Sequence, residues 1–226
     1  MLISKYSPLN WLPLVCPACL QPSKAGLLCP VCQSYLEKIS EPCPRCGKPD
    51  CYNQLCGHCQ QHPPAWQTAR IPWHFSGLTR FLIHDFKYNH SLASGRALVT
   101  SWLTDFNPTQ KPEALIAVPM HHRRHHQKGF NQADWLAGKI SKHLHIPQWN
   151  GLVRQRKTVT LEGLNKKERR QALANAFAIK AAPPKHIALI DDVYTSGATA
   201  TEIARTLKQA GCQQIDIWAL ARTPLQ

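Results

Sequence analysis

The sequence predicts an α/β protein: a small N-terminal module built on two four-cysteine clusters, then a domain with a mainly parallel sheet. Three observations predict it. Eight of the ten cysteines form four CxxC pairs, all before residue 60. Beyond them, short apolar runs of strand type alternate with helical periodicity. One of those runs carries two adjacent acids into a small, hydroxyl-rich turn.

The module comes first. Its pairs are Cys16/Cys19, Cys29/Cys32, Cys43/Cys46 and Cys56/Cys59, and both inner gaps are nine residues. Shifted by 27 positions, the first four fall on the second four, with Pro17 on Pro44, Pro22 on Pro49 and Leu28 on Leu55. The module is therefore an internal duplication. A CxxC turn sets two thiolates on one side of a tight loop, and two turns close a tetrahedral cage with Zn–S bonds of about 2.3 Å. Pairs this close make poor disulfide frameworks, and a reducing cytosol keeps them as thiols. Two structural zinc (Zn2+) sites follow. About 45 residues this poor in aliphatics cannot hold a core unaided, and metal binding supplies folding energy. Spacing allows sequential or cross-braced pairing, and the duplication favours the sequential one. Cys51 maps onto Lys24 and reads as a bystander. A closed four-ligand zinc leaves no open position for catalysis.

The stretch His62-Pro63-Pro64 marks a boundary, so the module is assigned to residues 1–62 and the α/β domain to 65–226. Leu78, Phe81, Leu82 and Phe86 recur at helical spacing, with Lys87 near the end, and a second helix covers Ser91 to Leu103. Ala114 to Val118 reads as a buried strand stopped by Pro119. Ala133, Leu136, Ala137, Ile140 and Leu144 share one helical face across Asn131 to Leu144. Ile187 to Ile190 and Ile215 to Leu220 are two more buried strands. Between them, Ala198 to Ala210 is a helix closed by Gly211.

Composition narrows the partners. Apolar residues are 43% and charged residues 18%, which excludes a disordered tail and a disulfide mini-protein. No run of 18 apolar residues occurs, and the opening MLISKYSPLNWLPLVCPAC is broken by Pro8 and Pro13 and lacks a secretory cleavage signature. The chain is expected to be cytoplasmic, with no membrane insertion. Twenty-seven Lys and Arg against 13 Asp and Glu give +14, which two zinc cages at −2 each reduce to about +10. Such a charge favours polyanions. It concentrates in HHRRHHQK, residues 121–128, with Arg123, Arg124 and Lys128, and between Arg154 and Arg170, with Arg156, Lys166 and Lys167. The second segment reads as a long loop running into a helix. Both can contact nucleic acid or pyrophosphate, and Trp73, Phe75 and Tyr88 can stack bases if exposed.

The sharpest motif is IALIDDVYTSGAT, from Ile187 to Thr199. A buried strand delivers Asp191 and Asp192 at its end, and Thr195, Ser196, Gly197, Ala198 and Thr199 open directly into a helix. Such a turn aims successive N–H groups and hydroxyls at one anion, helped by the helix N-terminus. The carboxylates would repel a phosphate, whereas they suit the vicinal hydroxyls of a sugar. Together the two halves suggest a ribose 5-phosphate.

This motif resembles the PRPP-binding signature of type I phosphoribosyltransferases, matching at every position. The resemblance implies that Asp191 and Asp192 hold the ribose hydroxyls, that Thr195 to Thr199 hold the 5′-phosphate, and that Mg2+ accompanies the pyrophosphate. Purine-salvage members carry an Asp base where this chain has Thr195. CxxC pairs ahead of such a domain resemble the ComF/GntX family. CPRCGKP matches its second knuckle, FSGLTRFLIHDFKY its helix ending in Lys87, Gly129 to Gln132 its GFNQ box, and VRQRKT its loop, which runs on to Ala176-Phe177. Two positions depart, Leu161 where the family has Gln and Ala172 where it has Asn. The implied role is natural competence and DNA utilisation, with single-stranded DNA and a DNA-translocating helicase as associates. Two other readings stay open: an active phosphoribosyltransferase with an unnamed acceptor, and a PRPP or nucleotide sensor without turnover.

Overall fold

The computed structural model describes residues 14–120, 130–155, 173 and 175–224. The predicted contacts Arg123, Arg124, Lys128, Arg156, Lys166 and Lys167 lie outside the described residues, as do Leu161 and Ala172. The cysteine-rich stretch holds two short helices, α1 (Pro30–Ser34) and α2 (Gly57–Gln61). The chain then runs β1 (Thr68–Arg70), β2 (Trp73–His74), α3 (Gly77–Tyr88), α4 (Leu92–Asp105), β3 (Ala114–Ala117), α5 (Gln132–Leu144), β4 (Leu152–Arg154), β5 (Phe177–Ile179), β6 (His186–Tyr194), α6 (Ala198–Gln209) and β7 (Gln214–Arg222).

The main sheet has five strands, ordered β1-β7-β6-β3 with β2 also on β7, and every pairing is parallel. The central strands β6 and β7 are apolar almost throughout because both faces are covered. On one face Ala188, Ile190, Trp218 and Leu220 pack against Leu82, Ile83 and Phe86 of α3, Leu98 of α4, and Leu136 and Ile140 of α5. On the other, Ile187, Leu189, Ile215 and Ile217 meet Ile203, Ala204 and Leu207 of α6. The alternation of strand side chains assigns each residue to its face. β4 and β5 form a separate antiparallel pair, with Leu152 opposite Ile179.

The predicted helices and core strands form. β6 is longer than the Ile187–Ile190 run, because pairing with β7 continues to Tyr194 opposite Arg222. Asp191 and Asp192 thus lie inside a strand. β1, β2, β4 and β5 are three residues or fewer, too short to display a period in sequence.

The module lies along the sheet edge. Ile39 N–H donates to the Pro72 carbonyl at 2.8 Å, His74 N–H to Glu37 at 2.9 Å, and Ala69 N–H to Pro44 at 2.7 Å. Leu28, Cys32 and Leu36 share one cluster with Trp73, Leu98 and Trp102.

Close packing of α3 on α4 depends on one glycine. A Cβ on Gly95 would lie 2.6 Å from the Phe86 ring, which is fully buried. Gly95→Ala should therefore destabilise by about 1–3 kcal/mol, overriding the roughly 1 kcal/mol gain in helix propensity. Urea midpoints read the difference, and an unchanged or raised midpoint contradicts the packing argument.

Candidate functional site

The duplication is visible in three dimensions. Cys16 N–H donates to the Gln21 carbonyl at 2.8 Å and Leu20 N–H to Cys16 at 2.9 Å; 27 residues on, Cys43 donates to Lys48 at 2.7 Å and Gly47 to Cys43 at 2.8 Å. Each knuckle turns through a positive φ, at Leu20 (63°) and Gly47 (66°). Each second pair opens a short helix, with Cys29 capping α1 and Cys56 capping α2. Cys16, Cys19, Cys29 and Cys32 form one group and Cys43, Cys46, Cys56 and Cys59 the other, all sulfurs in each within 4.8 Å. The pairing is sequential.

The donor set fits zinc. Cys19 and Cys29 sulfurs are 3.8 Å apart and Cys46 and Cys56 sulfurs 3.7 Å apart. A tetrahedron with bonds of about 2.3 Å has edges of about 3.8 Å, whereas a disulfide needs about 2.05 Å. Burial pushes the Cys43 thiol up, yet the N–H groups of Cys56, Arg45 and Cys46 outweigh it and draw it down to about 7. Cys51 packs beside the second group without joining it, donating from Sγ to the Pro49 carbonyl at 3.3 Å.

The acid pair lies on β6. Asp192 accepts from the Lys87 ammonium at 3.0 Å, and Val193 N–H donates to its Oδ1 at 2.8 Å. Asp191 Oδ1 accepts from Asp192 N–H at 2.9 Å. Burial works against ionising Asp192, but Lys87 outweighs it and holds this carboxyl below the usual range. Burial and the Asp192 charge push Asp191 up to about 8. The arrangement favours the charged form at Asp192 and opposes it at Asp191, so that the pair can accept from a diol and, with Asp191 protonated, donate to it. Lys87 itself is anchored from below: its backbone carbonyl accepts from Gln132 Nε2 at 3.2 Å, and Gln132 is buried. Asn131 caps α5 by accepting from Ala133 N–H and donates to the Val118 carbonyl at 3.1 Å.

The turn beyond β6 leads directly into α6. Thr195 and Ser196 are exposed, and Thr199 is half-buried. Gly197 has φ +73°, and Tyr194 Oη would lie 2.4 Å from any Cβ there, so only glycine fits. The first N–H groups of α6 have no intrahelical partner, and Gly197 supplies no side-chain cap. Ser196 Oγ reaches Ala198 N–H only at 3.5 Å.

Sequence alone did not assign Lys87 to the acid pair, nor Tyr194 and Arg222 to the turn. A pair of buried acids demands a cation, but the chain offers 27 Lys and Arg. Arg154 ends β4 with its guanidinium 5.7 Å from the centre of the Phe177 ring. Of the three aromatics, Trp73 is buried core and cannot stack a base. Phe75 is half-buried and stacks on His84 at 5.9 Å; Tyr88 is 50% exposed and tilts against His84 at 5.2 Å. No described helix is long and apolar enough to cross a membrane.

No protein-family model matches the chain. It is 37% identical over 170 residues to Competence protein F of Haemophilus influenzae, covering 70% of this chain and 74% of that one. It is 35% identical over 172 residues to DNA utilization protein YhgH of Escherichia coli O157:H7, covering 72% and 75%. Competence protein ComFC of Streptococcus pneumoniae is 28% identical over 129 residues, 56% of each chain.

Two measurements check this geometry. Metal analysis of the purified chain should give about two zinc ions, falling to about one in Cys43→Ser; zinc unchanged by that substitution contradicts the second cage. The acid pair predicts a pH dependence. An acid whose folded pKa is raised stabilises the fold at low pH, and that contribution is lost as pH rises through the folded value. Asp191→Asn should therefore gain stability relative to the parent as pH rises from about 4 to about 8. A pH-independent difference in urea midpoint contradicts the raised carboxyl.

Proposed function

The chain belongs to the ComF family, and from that membership we propose that it serves DNA uptake and utilisation through a PRPP-type ribose 5-phosphate site and the handling of single-stranded DNA. The observation that carries the reading is the rim of the sheet where Lys87, Asp191 and Asp192 stand one turn away from the uncapped N-terminus of α6. Asp191 and Asp192 hold the ribose 2′ and 3′ hydroxyls. The backbone of Thr195 to Thr199 and its hydroxyls hold the 5′-phosphate, with the positive end of α6 behind them. Lys87 keeps Asp192 ionised and oriented. Mg2+ bound with PRPP would neutralise its pyrophosphate; this chain's own residues fix the sugar so that charge developing at its anomeric carbon meets the fixed Asp192 carboxylate.

Thr195 is exposed where purine-salvage enzymes carry an acid base, which favours ligand sensing, or transfer to an acceptor that needs no deprotonation, over purine salvage. Single-stranded DNA fits the net charge of +14 and the exposed ring of Tyr88, which follows Lys87 on α3. A DNA-translocating helicase is the partner this role calls for.

The test is a calorimetric titration of the two-zinc protein with PRPP and Mg2+. Saturable binding is expected, abolished in the Asp191→Asn/Asp192→Asn double variant while single-stranded DNA affinity stays within about twofold. No binding at millimolar PRPP overturns the ribose-phosphate reading, and equal loss of both ligands overturns the separation of the two sites.

A further inference from the structure

Arg222 is a cation with nowhere obvious to go. It ends β7 and is only 4% exposed, and among the described residues no carboxylate pairs with it. Its Nη1 donates to the Cys46 carbonyl, its Nε has no partner, and its guanidinium lies 5.1 Å from the centre of the Tyr194 ring. A buried charge needs a counter-charge. Arg222 interacts electrostatically with Cys46 of the second cage, where four thiolates around one divalent zinc would carry −2.

Trp66 makes the same connection from the other side. Its Nε1 donates to the Arg45 carbonyl at 2.6 Å, and its ring meets Tyr194 edge-on at 6.4 Å. Arg45 and Cys46 belong to one knuckle of the second cage. Tyr194 thus sits between two side chains anchored on that knuckle, with its hydroxyl directly over Gly197, 2.4 Å from where a Cβ would be. Backbone bonds close the group: Phe75 N–H donates to the Arg222 carbonyl at 2.7 Å, and Thr223 N–H to Tyr194 at 3.1 Å. The first cage has no such link among the described residues. Its contacts run to α4, where Arg96 donates to the Ala25 carbonyl at 3.2 Å, and Cys19 is exposed.

We propose that Arg222 and Tyr194 are positioning residues that make the second cage, but not the first, a structural part of the phosphate turn. A closed cage fixes the carbonyls of Arg45 and Cys46; these fix Arg222 and Trp66 around Tyr194; Tyr194 fixes Gly197 in its left-handed conformation. The functional consequence rests on the reading of residues 195–199 as a phosphate site, whereas the mechanical linkage does not.

The experiment separates the two. Amide hydrogen exchange over residues 195–201 is measured on the full chain, unliganded, for the parent, Arg222→Met, Tyr194→Leu, Cys59→Ser and Cys19→Ser. Exchange should quicken by about tenfold or more in Arg222→Met, Tyr194→Leu and Cys59→Ser, and stay within about twofold of the parent in Cys19→Ser, although both cysteine variants lose about one zinc. Tyr194→Leu keeps the readout available if Arg222→Met does not fold. Unchanged protection in the folded variants, or equal loss in Cys19→Ser, overturns the proposal. PRPP titration of the same proteins reports on the ligand. A parent that binds no PRPP but shows the exchange pattern keeps the linkage and loses the phosphate reading. A parent that binds PRPP without the exchange pattern does the reverse.

Discussion

Two neighbouring acids inside a strand of the central sheet are the constraint from which much of this structure follows. Side by side they resist ionising together, and the buried one needs a cation to carry its charge. Lys87 is that cation, and its delivery explains the path of the chain before the core strands. α3 must end at the rim with its last turn facing Asp192, where the negative end of the helix also favours a lysine. Gln132 holds the Lys87 carbonyl, one of the last-turn acceptors that a helix leaves unpaired. Asn131 performs the matching task between α5 and the end of β3. The GFNQ box is in this light a brace for Lys87 and for the strand beside the acids. Behind the lysine, Phe86 presses so closely on α4 that only Gly95 fits beneath it.

The second constraint is the sheet edge. β1 and β2 are short strands whose outer sides would leave backbone groups unpaired. The cysteine-rich module answers them, through Ile39 to Pro72, His74 to Glu37 and Ala69 to Pro44. Its two four-cysteine groups could hold the metal that would replace the core it lacks. The duplicated units then take different places. The first joins the main apolar cluster beside α4, and the second forms a closed group of its own near the rim.

What sequence reveals follows from where the information is local. The CxxC pairs were legible because their spacing repeats at 27 residues, and even their hydrogen bonds repeat at that interval. The acid pair and the turn were legible because strand, acids, hydroxyls and glycine are contiguous. The buried strands β6 and β7 were legible as apolar runs, though not their full extent, since pairing carries β6 through polar Asp191 and Asp192. Lys87, Tyr194 and Arg222 were not legible as site residues. Their roles depend on partners more than 20 positions away, Asp192 for Lys87, Cys46 for Arg222, and Trp66 and Arg222 for Tyr194, and nothing in the flanking sequence of Arg222 distinguishes it from other arginines.

The costs in this fold are concentrated where a ligand would act. A carboxyl whose ionisation is opposed by burial and a neighbouring carboxylate, a buried arginine with an unpaired Nε and a helix N-terminus with only a long contact to Ser196 Oγ gather, among the described residues, at one end of the sheet. Each is unfavourable or unsatisfied in the free protein. A pure scaffold would be more stable with Asn for Asp191 and a capping side chain for α6. On the ribose-phosphate reading proposed above, a phosphorylated diol would relieve both defects together: its hydroxyls would satisfy the acid pair, and its phosphate would take N–H groups at the start of α6. The same ligand would do nothing for Arg222, whose charge the proposed thiolate cage would answer. On those two proposals the rim is fully satisfied only when both a sugar phosphate and a metal are bound.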